Sequence, residues 1–103
     1  MEQILIVEDD PALGRGLVLA LKGAERACTL ASDCVGARRA LAASSFALAI
    51  FDINLPDGSG LTLLEETRAA GGPPVIQMCI RDRYSAVRAG KMPPNTQVSA
   101  QTI

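Results

Sequence analysis

"AIFDINLPDGSG", residues 49–60, decides the fold. An apolar run ends on a carboxylate, Asp52. A turn-rich segment follows, and then "GLTLLEETRAAGG" (60–72) places Leu61, Leu64 and Arg68 at helical spacing. A short apolar run bounded by turn residues and followed by a helical pattern is a buried strand feeding a helix. Its length and the Ser pair before it favour a strand over 46–51, although its Ala and Leu content would also suit a helix.

Working outward, the same unit recurs. Ile4 to Val7 is apolar, rich in β-branched residues and bounded by acids, as suits a strand buried on both faces. Asp10 and Pro11 then supply a helix cap and a first turn, with Leu13, Leu17 and Leu21 on one face and Gly23 at the end. Ala27 to Ala31 reads as a second strand, with Ser32 or Asp33 capping a second helix. "PPVI" (73–76) opens a fourth strand. The alternation βαβαβαβ predicts a three-layer α/β/α, doubly wound parallel sheet. Ligand chemistry in such sheets gathers at the carboxyl ends of the strands. Glu8, Asp9 and Asp10 follow the first strand and Asp52 ends the third, so the fold would bring these acids together.

Composition limits what they can do. The 103 residues, 49% hydrophobic and with net charge −1, suit one small globular domain without electrostatic attraction to nucleic acid or anionic lipid. There are no His, so no His ligand, general base or Ser-His pair exists. Cys28, Cys34 and Cys79 form no CxxC pair and read as packed thiols. No stretch resembles a signal peptide or a membrane span, and the expected compartment is the cytoplasm. Clustered carboxylates repel, and a divalent cation relieves the conflict. An Asp beside such an ion can attack a phosphoryl group. Spacing alone leaves two readings open: Mg2+-assisted phosphoryl transfer to an aspartate, or acids at strand ends because strands end in solvent.

"ILIVEDD" (4–10) followed by "FDINLPDGSGL" (51–61) closely resembles the receiver domain of bacterial two-component response regulators, over about residues 3–76. The resemblance implies a flavodoxin-like receiver fold and a signalling domain rather than an enzyme. It implies that Asp52 is the phospho-acceptor and that Mg2+ is bound by Glu8, Asp9, Asp52 and the Asn54 backbone carbonyl. Pro56, Gly58 and Gly60 would turn the chain into the third helix. The implied phosphoryl donor is a sensor histidine kinase, and a full-length parent would carry an output domain such as a DNA-binding one. Two alternatives are a non-phosphorylated interaction module and a small Mg2+-dependent aspartyl phosphatase. Position 54 is Asn where a phosphatase D-x-D would need Asp, which disfavours the latter.

The family pattern stops after Ile76. A receiver's fourth strand should end in Thr or Ser, where Cys79 stands. Its fifth should end in a Lys near 102, where the chain reads "AQTI"; Lys91 lies too early. No fifth strand or helix is expected, which would truncate the fold after the start of the fourth strand. Reverse-translated, "QMCIRDR" (77–83) admits the transposon mosaic-end sequence used in DNA library preparation. Residues 1–76 therefore read as a partial receiver, and 77–103 as a foreign, poorly ordered tail. The competing reading is a divergent receiver without its switch residues. Arg81, Asp82 and Arg83 read as a solvated charge run rather than a phosphate clamp.

Overall fold

The computed structural model describes residues 1–78 and the backbone of Ala100–Thr102. β1 (Glu2–Val7), α1 (Pro11–Leu21), β2 (Arg26–Ala31), α2 (Cys34–Ala43) and β3 (Leu48–Asp52) follow in alternation. A small hairpin, β4 (Asn54–Leu55) and β5 (Gly58–Ser59), precedes α3 (Gly60–Ala69), β6 (Val75–Met78) and β7 (Ala100–Thr102). The main sheet has the order β2-β1-β3-β6-β7. β1 pairs in parallel with β2 and β3, and β3 with β6. β7 pairs antiparallel with β6, Ile76 opposite Thr102 and Met78 opposite Ala100.

Side-chain alternation builds the three layers. Leu5, Val7, Ala49, Phe51 and Val75 face one side, where they pack with Cys34 and Ala37 of α2 and with Leu63 and Leu64 of α3. Ile4, Ile6 and Ile50 are buried on the other side. α1 lies there, since its Gly14 sits against Leu30, the register partner of Ile6. Both faces of β1 and β3 are thus buried, which explains their unbroken apolar runs. A bidentate pair, Arg38 Nε and Nη2 to the Glu66 carboxylate at 2.9 and 3.1 Å, joins the exposed sides of α2 and α3.

The caps follow the local sequence. The Asp10 carboxylate accepts from the backbone N–H of Ala12 and Leu13, with Pro11 in the first turn. Of the two candidates for α2, it is Asp33 that caps, accepting from Gly36 N–H at 2.7 Å. Gly71, at φ 71°, takes the left-handed position just past α3 that a side chain would oppose.

Three boundaries differ from expectation. β3 starts at Leu48, although Phe46 before it is buried in the core. The fourth strand continues past Ile76, with Gln77 and Met78 pairing opposite Phe51 and Asp52. Ladder pairing uses backbone groups, so charged or polar side chains nearby do not end it. A fifth strand does exist as β7, but it runs antiparallel to β6. Cys79, Arg81, Asp82, Arg83, Lys91 and the order of most of the tail lie outside the described residues. No helix among the described residues is long and apolar enough to cross a membrane.

Candidate functional site

The parallel topology delivers three acids to one place. β1 runs into Glu8, whose backbone N–H continues the ladder to the Ala31 carbonyl at 2.9 Å. Asp9 follows, and adjacent β3 ends on Asp52. One carboxylate oxygen from each of Glu8, Asp9 and Asp52 lies within 4.8 Å of the others. Glu8 and Asp52 are buried and Asp9 is half-buried. Asp10 does not join them, because its carboxylate is committed to the α1 cap.

The electrostatic strain of this arrangement falls on Glu8. Burial is the main cause that lifts its carboxyl to about 7, with the neighbouring carboxyls of Asp9 and Asp52 adding to it. The backbone N–H of Asp10, donating to Glu8 Oε2 at 3.1 Å, opposes the rise. The donors are all hard oxygens, the set that suits Mg2+ rather than a softer metal. A cation there would offset the carboxylate repulsion that helps lift Glu8.

Asn54 stands two residues beyond Asp52 and donates its backbone N–H to Asp52 Oδ1 at 3.3 Å. It opens the β4–β5 hairpin, which turns tightly at Pro56 and Asp57. The Gly60 N–H then closes the return onto the Ile53 carbonyl at 2.7 Å. Gly60 must be glycine: a Cβ there would collide with the Asp52 carbonyl oxygen and come within 2.9 Å of Gln77 Nε2. Ser59, which carries no catalytic arrangement, caps α3 by accepting from Leu61 N–H.

Two features were not read from the sequence. The Asp57 carboxylate reaches across to α2, Oδ1 accepting from Cys34 N–H at 2.7 Å and Oδ2 from Val35 N–H at 3.0 Å. An Asp after Pro in a turn signals only local structure, so nothing in the sequence marked a partner more than twenty positions away. Gln77 is buried against this region, its Nε2 on the Phe51 carbonyl at 3.4 Å and its Oε1 without a hydrogen-bond partner among the described residues. A cleft of about 470 Å³ between α2 and α3, near Phe46, Leu63 and Gly72, lies apart from the acids.

A largely parallel α/β/α sheet with an acid cluster at its carboxyl edge and a tight hairpin after the third strand is an architecture that known proteins share. The response regulator receiver domain family matches residues 4–92. The chain belongs to that family. It is 38% identical over 82 residues to the transcriptional regulatory protein PmrA of Pectobacterium parmentieri, covering 79% of this chain and 37% of that protein. It therefore spans less than half the length of that curated relative. Among solved structures, the response regulator TrrA from Thermotoga maritima in complex with Mg2+-BeF superposes with a TM-score of 0.64 at 28% identity. That match covers 68% of this chain and 61% of TrrA. TrrA in complex with the histidine kinase ThkA gives a TM-score of 0.62 at 29% identity, covering 67% and 60%.

Proposed function

We propose that this receiver domain accepts a phosphoryl group on Asp52, with Mg2+ bound by Glu8, Asp9, Asp52 and the Asn54 backbone carbonyl. The observation that carries this reading is the meeting of three carboxylates within 4.8 Å, one of them driven to about 7. In the reaction an Asp52 carboxylate oxygen attacks phosphorus, an acyl phosphate bond forms, and the bond from phosphorus to the donor breaks. The Asn54 N–H holds Asp52 Oδ1, which fixes the carboxylate plane before the attack. The Asp10 N–H favours ionised Glu8 and so prepares the acid shell. Bound Mg2+ would neutralise charge on the transferring phosphoryl group.

The donor in this reading is a phosphohistidine on a sensor histidine kinase, supported by the solved pairing of ThkA with TrrA. A DNA-binding output domain in the full-length parent is supported by the PmrA relative, of which this chain spans 37%. The working compartment is the cytoplasm. Residues 77–103 remain our proposal of a foreign tail on a 1–76 receiver segment. The buried, half-satisfied Gln77 supports that, while the family match to residue 92 weighs against it. Reading the codons for 77–83 decides it: any series other than the mosaic-end one removes the proposal.

The function is tested with acetyl phosphate and Mg2+. Wild type should gain one hydroxylamine-labile phosphoryl group by intact mass, while Asp52→Ala, or wild type with chelator, should gain none. Labelling that persists in Asp52→Ala would refute the assignment.

A further inference from the structure

We propose that Asp57 is a positioning residue for the metal shell, because its carboxylate pins the hairpin that begins with Asn54 onto the first turn of α2. This rests on the reading of Asn54 as a metal ligand given above. The first turn of a helix leaves its N–H groups without intrahelical partners. In α2 those of Cys34 and Val35 go to Asp57, and that of Gly36 goes to Asp33. Asp33 is the helix's own cap. Asp57 comes from the hairpin turn more than twenty positions along the chain, so its two bonds add a tertiary clamp to a helix that already has a cap.

The clamp sits where it matters for Asn54. The hairpin has only two residues in each strand, and Asn54 pairs with Ser59 across it. It is otherwise held by Leu55 in the core, by the bond from Asn54 N–H to Asp52, and by the bond from Gly60 to Ile53. Asp57 fixes its far end in two directions at once. The N–H groups of Cys34, first, and Val35 also hold the Asp57 carboxyl below its ordinary value, which keeps it the anion that the helix terminus favours. Releasing the turn would loosen the Asn54 carbonyl without touching any of the three acids.

Two capping variants separate positioning from simple helix stability. Mg2+ affinity is read from the rise of the melting temperature with MgCl2 in wild type, Asp57→Ala, Asp57→Asn and Asp33→Ala. Removing a group that orients a metal ligand typically costs 10- to 100-fold in affinity, so Asp57→Ala should weaken Mg2+ binding by roughly tenfold. Asp57→Asn, with one acceptor oxygen left, should fall between it and wild type, and decides the matter if Asp57→Ala does not fold. Asp33→Ala should lose thermal stability but bind Mg2+ like wild type. Labelling by acetyl phosphate should need more Mg2+ in Asp57→Ala and reach the wild-type rate once saturated. Unchanged affinity in the Asp57 variants overturns the proposal, as does an equal loss in Asp33→Ala. Failure of wild type itself to bind Mg2+ would instead overturn the metal reading, and this proposal with it.

Discussion

Gly60→Ala tests how tightly the acceptor strand and α3 are locked together. Position 60 has backbone rather than only a yielding side chain in the way. Its Cβ would collide with the Asp52 carbonyl oxygen and lie 2.9 Å from both the Asp52 carbonyl carbon and Gln77 Nε2. Neither side can give easily, since Asp52 ends a strand paired with β6 and Gly60 starts a helix whose Leu63 and Leu64 are buried. Overpacking of this kind costs about 1–3 kcal/mol. For a domain near 100 residues that lowers the melting temperature by roughly 5–20 °C. The Asp52 backbone must also retreat by about 1 Å, and displacement on that scale costs a reacting group on the order of 100-fold in rate. Gly16→Ala is the matched control, because nothing lies within 4 Å of a Cβ at position 16 in the middle of α1. That change should stabilise by roughly 1 kcal/mol through helix propensity. Thermal melts and initial rates of acetyl phosphate labelling are compared for both variants. If Gly60→Ala melts and labels like wild type, the close approach is not a real constraint and the site is looser than described.

Glu8 predicts an inverted pH profile for the metal-free chain. Its carboxyl sits at about 7 when folded against 4.5 otherwise, so the folded state holds an extra proton between those values. Stability from this group is therefore fully present below pH 4.5 and lost as pH rises through 7, by at most roughly 3 kcal/mol at about 1.4 kcal/mol per unit. Urea melts across that range should show the decline in wild type, and Glu8→Gln should flatten it; a decline unchanged in Glu8→Gln would refute the assignment. Gln77→Leu should raise stability by roughly 1–2 kcal/mol, because it removes a buried acceptor that has no partner among the described residues and sacrifices only a 3.4 Å bond. A destabilised Gln77→Leu would show that the amide serves a purpose there.

The sheet and the acid cluster were legible because each rests on a strong local signal. Strands buried on both faces read as unbroken apolar runs, and Asp10, Asp33 and Pro11 mark helix starts by their own backbone chemistry. Parallel pairing then forces Glu8, Asp9 and Asp52 to one edge. What sequence could not show depends on contacts between distant segments. Asp10 is chemically equivalent to Asp9, and only the turn of the chain into α1 sends one to a cap and leaves the other in the cluster. The Asp57 clamp needs α2 and the hairpin to be placed before it has meaning. Gln77 broke the apolar pattern of the fourth strand, yet the backbone ladder carries it regardless of side chain.

The direction of β7 separates the two halves of a receiver's task. In a parallel fifth strand the last residue arrives at the carboxyl edge, beside the acids, and there the resemblance expects a Lys. β7 instead places Ala100 opposite Met78, at the acid end, and Thr102 opposite Ile76, further from it. Its chain direction therefore runs away from the acid end over Ala100–Thr102, none of which is a cation. In the proposed reading, acceptance of a phosphoryl group rests on Glu8, Asp9, Asp52 and the hairpin, held by β1, β3 and α3. Sensing of that group depends on what the fourth and fifth strands bring to the same edge. The first set is built by the strands that the parallel register fixes. Among the described residues β7 brings no cation to that edge, so in the proposed reading acceptance and switching are separable.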